Sequence, residues 1–218
     1  MCLGIAEAST ETERSPSVSS EFSRAALLSR GARTATVIAV GGGGLGALAG
    51  SARAVTLPDN DLAYLRMVIA SELLAIDFYT SAVATKQFSG RDLVNLRAAM
   101  ADEKAHYTAL AQVLTDAGQV PATADDIDFT YPKGAFASRT SIARLGIRLE
   151  ATFVGSTLGA AGGLQTDTLR LQVAQIAASE SRHLAACSVL VGRSPVGVAF
   201  PPALTLDQAT AALDPFES

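Results

Sequence analysis

The sequence predicts an all-α fold, a four-helix bundle with one long crossover between the second and third helices. Three observations lead there. The 218 residues are 49% hydrophobic but only 6% aromatic, with no Trp, and an alanine- and leucine-rich chain of that kind favours helices over strands. Between Pro58 and Gly192, four stretches space apolar residues by threes and fours, the period of a helix that buries one face. The links inside the first and second pairs of stretches are only a few residues long, which makes each pair antiparallel neighbours, whereas the link between the pairs runs about 20 residues.

The chain is long enough for one domain with a full core. Its formal net charge of -4 comes with no basic patch and no block of like charge, which argues against nucleic acid as a partner. Residues 1–54 read as a leader. The first part, to about residue 28, is rich in Ser, Glu, Thr and Arg with no period and is expected to be disordered. Arg30 and Arg33 then precede an uncharged run from Ala35 to Gly50, followed by Ala52-Arg53-Ala54, which is the order of regions in a secretory signal peptide. The run is 16 residues with six glycines, too short and too weak for a comfortable membrane span, so none is expected in the mature chain. Its mild, Gly-rich character resembles twin-arginine signals, although Ser29-Arg30-Gly31-Ala32-Arg33 lacks their adjacent arginine pair. Cleavage near Ala54 would leave residues 55–218 as the folded domain, exported to the periplasm, the cell envelope or the medium. Cys2 and Cys187 form no disulfide framework.

The first helix is expected to open near Asp59 or Asn60, which follow Pro58 and suit a cap. Its apolar stripe runs through Leu62, Leu65, Ile69, Ile76 and Tyr79, and Glu72 lies within that stripe. Ser89 caps a second helix with Leu93, Leu96, Met100, Leu110 and Val113 on one side, stopped by Gly118. The polar link from Gly118 to about Ser138 can span a bundle, since 20 extended residues reach about 66 Å and a 25-residue helix is about 37 Å long. A third helix from Thr140 or Ser141 presents Ala143, Gly146, Ile147, Phe153, Val154 and Thr157. Gly162-Gly163 and a cap at Thr166 separate it from a fourth, which carries Leu169, Val173, Ile176, Leu184 and Cys187 and ends at Gly192. A tail with Pro195, Pro201 and Pro202 follows, with a short helix from Leu206 to Leu213 capped by Thr205, expected along the outside of the bundle.

Two motifs give this scaffold a chemistry. Glu103-Lys104-Ala105-His106 lies on the second helix and Glu180-Ser181-Arg182-His183 on the fourth. Residues three apart on a helix share a face, so each motif aims a carboxylate and an imidazole at one point. These are the only two histidines, and nine glutamates in 218 residues make two chance pairings a roughly one-in-several-hundred event. Glu72 and Glu150 each precede one motif, by 31 and 30 residues from Glu to Glu, so the two hairpins read as copies related by a pseudo-twofold axis. After Val55, four of the five glutamates belong to this set, while twelve aspartates carry the remaining acidity. An isolated Glu-x-x-His is ordinarily a solvated pair, but a repeated set on four apolar stripes is not. Ionised carboxylates in a core cost several kcal/mol each even after relaxation, and two divalent cations would cancel four of them. Oxygen and nitrogen donors without thiolate favour iron or manganese. Tyr79 lies two turns from Glu72 on the same face and is a core tyrosine, a hydrogen-bond partner of a ligand carboxylate or a carrier of an oxidising equivalent. Asp77 lies off the stripe. Cys187, one turn past His183, is read as a small buried hydrophobe.

With Glu72, Glu103, His106, Glu150, Glu180 and His183 in place, the chain resembles the ferritin-like superfamily. Its layout is similar to that of exported bacterial ferritin-like domain proteins: a signal segment, four helices, and a Pro-containing tail ending in Leu213-Asp214-Pro215-Phe216. The resemblance covers about Asp59 to Phe216. It implies a carboxylate-bridged di-iron centre that reacts with O2 or peroxide, with those six residues as metal ligands and catalytic groups; it does not imply a storage cage, because members of the superfamily differ in role. Two iron ions are the expected cofactor, two manganese ions the alternative. The expected activity is that of a ferroxidase or peroxide-reducing oxidoreductase. A dimanganese, catalase-like enzyme and a non-enzymatic metal-binding or structural bundle of the envelope are the other readings. Expected partners are O2 or peroxide and, at the protein level, a second copy of the chain or an envelope protein.

Overall fold

The computed structural model describes residues 56–217, so the expected leader and signal peptide lie outside the described residues. Four long helices make the bundle: α1 (Asp59–Ala84), α2 (Gly90–Asp116), α3 (Arg139–Gly163) and α4 (Asp167–Leu190). A fifth, short helix α5 (Leu206–Leu213) follows in the tail. No strand occurs among the described residues; one isolated antiparallel bridge joins Phe129 to Glu217.

Hydrogen bonds between the helix ends fix the topology. Arg66 near the start of α1 donates to Gln119 just past the end of α2, so those helices are antiparallel. Arg139 at the start of α3 pairs with Asp92 at the start of α2 at 2.7 Å, so α2 and α3 run the same way. The connection between them must therefore travel the length of the bundle, as its length allows. Residues between Gly118 and Ser138 do this with a 3-10 turn at Ala124–Asp126, burying Ile127. Tyr131 donates from this connection to Asp77 of α1 at 2.7 Å. Around the bundle, α1 touches α2 and α3 while α4 touches α3 and α2, and the last pair is packed most thinly.

The helix boundaries follow local chemistry. Gly118 adopts φ +72°, the left-handed conformation in which glycine closes a helix, and the Gln119 N–H returns to the Leu114 carbonyl at 2.8 Å. Ser138 caps α3 through the Ser141 N–H, and Thr205 caps α5 through the Gln208 N–H. The expected cap of α1 does not form: the helix starts after Pro58 without a side-chain cap. The neighbouring Asp61, fully buried, instead accepts the Gln165 N–H at 2.7 Å and the Thr166 N–H at 2.9 Å, tying the α3–α4 link to α1. Those bonds outweigh the cost of burial and lower the Asp61 pKa.

Leu65, Ile69, Phe78, Leu110, Leu114, Ile142 and Leu149 form the centre of the core. Helix α1 is the one described helix long and apolar enough to cross a membrane by length and composition, and 67% of its most apolar window is buried inside the bundle, as befits a core helix. The tail runs along the outer side of α3, where the Leu204 N–H donates to the Gly155 carbonyl at 2.9 Å, before α5 buries Ala209 and Leu213.

Candidate metal centre

Each long helix delivers one carboxylate to the middle of the bundle. Glu72, Glu103, Glu150 and Glu180 are between 0% and 3% exposed, a degree of burial that carboxylates rarely show without a compensating charge. The i, i+3 spacing on α2 and α4 adds His106 and His183 beside them, so all six residues singled out from the sequence meet at one place. They do so as two overlapping groups. Glu72, Glu103, Glu180 and His106 form one; Glu103, Glu150, Glu180 and His183 form the other, and within each group one donor atom per residue lies within 4.8 Å of every other.

The imidazoles show where the two groups are centred. His106 Nδ1 is 3.3 Å from Glu72 Oε2, 3.2 Å from Glu103 Oε2 and 3.2 Å from Glu180 Oε1. His183 Nδ1 is 2.8 Å from Glu103 Oε1, 3.3 Å from Glu180 Oε2 and 4.0 Å from Glu150 Oε2. Glu103 and Glu180 thus turn one oxygen to each histidine, while Glu72 and Glu150 serve one group apiece. The rings lie 6.4 Å apart between centroids. Three carboxylate oxygens around a single Nδ1 cannot all be served by one N–H. Accordingly, Glu72 Oε2, Glu103 Oε1, Glu150 Oε2 and Glu180 Oε1 are buried acceptors without a hydrogen-bond donor. A cation at each convergence point would satisfy all of them, which is the sense in which these residues fit a pair of metal ions.

The electrostatics point the same way. Burial disfavours the imidazolium of His106, yet its bonds to Glu103, Glu180 and Glu72 push its pKa up to about 12. His183 is raised to about 11 against the same burial penalty by Glu103 and Glu180. Burial, reinforced by the neighbouring carboxylates, drives Glu72 and Glu150 well above the ordinary carboxylate range. Glu180 lies between both imidazoles, which overcome its burial and lower it to about 2. Four carboxylates so close together favour the charged form of both imidazoles and protons on Glu72 and Glu150, charge that a pair of cations would replace.

Two flanking contacts differ in how well the sequence announced them. The Tyr79 hydroxyl donates to Glu150 Oε1 on α3, one of the roles expected for it. Asp102 was not singled out. Its Oδ2 lies 3.2 Å from His183 Nε2, a carboxylate acceptor behind the ring, so a cation that displaced the Nδ1 proton would meet an imidazole already held from its far side. The corresponding position before the second motif is Ser179, whose hydroxyl takes a bond from Arg182 at 2.9 Å. The two hairpins therefore part from symmetry at this position. Asp77 receives Tyr131, and Cys187 is 1% exposed, with its burial raising the thiol pKa.

A family model described as a ferritin-like domain matches residues 60–193, a span that holds all four long helices and all six residues of the two groups. The chain belongs to the ferritin-like domain family. No curated protein matches it. The family accounts for the bundle and its crossover.

Proposed function

We propose that the centre holds two iron ions and that the protein is an exported oxidoreductase reducing peroxide or O2. The observation that carries this reading is the sharing of Glu103 and Glu180 between two groups that each also have one private glutamate and one histidine. Four carboxylates and two divalent cations make a neutral set. In it, Glu72 and His106 would be terminal on one ion, Glu150 and His183 on the other, with Glu103 and Glu180 bridging. All donors are oxygen or imidazole nitrogen, which suits ions that cycle between two valences. Iron, when bound, would supply the electrons that reduce peroxide or O2.

The chain's own groups then have distinct tasks. Asp102 holds the His183 ring in the tautomer that leaves Nδ1 free to ligate. Tyr79 donates its hydroxyl hydrogen bond to Glu150 Oε1, which orients that carboxylate and favours its ionised form. The buried side chains around the centre keep bulk water away, which strengthens every charge interaction within it.

Manganese suits the same donor set, and peroxide dismutation is the second reading; the metal content of natively purified protein separates the two. To test the first, metal-free protein is loaded anaerobically with ferrous iron and exposed to O2 or peroxide. Two equivalents should bind and be oxidised faster than in buffer. A bound pair that stays ferrous leaves only a metal-binding bundle, and no bound iron removes the reading altogether.

A further inference from the structure

The thin packing between α2 and α4 leaves a cavity of about 180 Å³. Its inner end is formed by Tyr79 and Cys187, whose hydroxyl and sulfur are 3.9 Å apart, and the same hydroxyl donates to Glu150. The cavity therefore stops one hydrogen bond short of a carboxylate of the candidate metal centre. Its walls are apolar, with Leu96 and Ala99 from α2 facing Ala186 and Leu190 from α4. At the rim, Asp92 is already paired with Arg139, and Asn95 adds an uncharged amide. No wall residue offers a cation to an anionic ligand. An apolar cavity of roughly 150 Å³ is known to take benzene, so this one suits a single aromatic ring with small substituents.

We propose that this cavity binds a single-ring hydroquinone that serves as the reductant of the centre. The proposal rests on the peroxide-reducing reading above and supplies the electron source that reading needs. Peroxide takes up two electrons and two protons and leaves as two waters. A hydroquinone provides both pairs, becoming the quinone as its two O–H bonds break, so one donor is consumed per peroxide. Tyr79 is the positioned relay: it lies between the ring in the cavity and Glu150, and its hydroxyl can receive a hydrogen from one side as it gives one to the other.

The test begins with binding to the metal-free full chain, which does not depend on the metal reading. Hydroquinone, titrated anaerobically and followed by saturation-transfer NMR and calorimetry, should bind one to one and be displaced by phenol. Ala186→Phe fills the cavity from α4 and Ala99→Leu from α2; each should weaken binding roughly tenfold or more. Circular dichroism and metal stoichiometry should stay as in the wild type in at least one of them. In the iron-loaded protein, one quinone should form per peroxide consumed, and this coupling should be lost in the same variants. Absence of saturable binding to the wild type, or unchanged affinity in a folded variant, overturns the proposal. Failure of the metal reading would appear separately, as missing iron.

Discussion

Asp102 makes two otherwise matched histidines unequal. His183 has its far nitrogen held by a carboxylate at 3.2 Å, while the equivalent place near His106 belongs to Ser179. A carboxylate behind an imidazole fixes the ring and raises its basicity, and losing such a partner typically costs 10- to 100-fold in metal affinity. In Asp102→Asn, one of two metal equivalents should therefore weaken by about that factor, turning a titration that fills both sites into one with a clearly weaker second step. An isotherm indistinguishable from wild type would show that the contact orients nothing. The glutamates and histidines of the two motifs were legible because their pairing is written in local spacing, three residues within a helix, and Glu72 and Glu150 because each interrupts an apolar stripe at a repeated distance. Asp102 was not, because its partner lies 81 residues away. Only the way α2 settles against α4 brings the two together.

At the scale of elements, the tail is held by an unusually close approach to α3. The space a Cβ at Gly159 would take is already filled by the Leu204 carbonyl, 1.7 Å away, and a Cβ at Gly155 would meet Leu204 and Pro202 at 2.8 to 3.1 Å. Gly159→Ala must displace tail backbone, and overpacking of this kind costs about 1–3 kcal/mol. The expected result is a lower melting temperature with metal stoichiometry retained, since the tail supplies no candidate ligand. An unchanged melting temperature would mean that the tail yields freely. The tail helix itself, from Leu206 to Leu213 with its Thr205 cap, could be read from sequence because a capping residue and an apolar period are local signals. Its seat on α3 could not, because a glycine inside a helix does not say which backbone comes near. The start of α1 shows the same limit. The task of Asp61, holding the N–H groups of Gln165 and Thr166, depends on where α3 ends, which no local spacing records.

For the molecule as a whole, the centre couples stability to pH and metal. His106 and His183 titrate near 12 and 11 in the fold against an ordinary 6.5. Their protons therefore stabilise the metal-free fold fully below about pH 6.5 and progressively less as pH rises toward those values. Glu72 and Glu150, raised by burial from an ordinary 4.5, act in the same direction from lower pH. Glu180, lowered to about 2, has the opposite sign, and its contribution is lost only in acid. Cations compete with these protons for the same atoms, so metal binding strengthens as pH increases. Between pH 6 and pH 9 the melting temperature of metal-free protein should fall, while the rise produced by a fixed concentration of divalent metal should grow. A metal-induced rise that shrinks over this range would contradict the picture. The bundle and its up-down-down-up course were legible in advance because the long crossover leaves little choice of topology. Which two carboxylates face both histidines was not, because side-chain direction at the centre depends on all four helices at once.

The central claim is that the buried acids are tolerated because two cations sit among them. Anomalous diffraction from crystals grown with iron, or with manganese, tests it most directly. Two peaks are expected about 3.5–4 Å apart, one beside His106 Nδ1 and one beside His183 Nδ1, with Glu103 and Glu180 reaching both. A single peak, or metal bound only outside the four helices, would contradict the account.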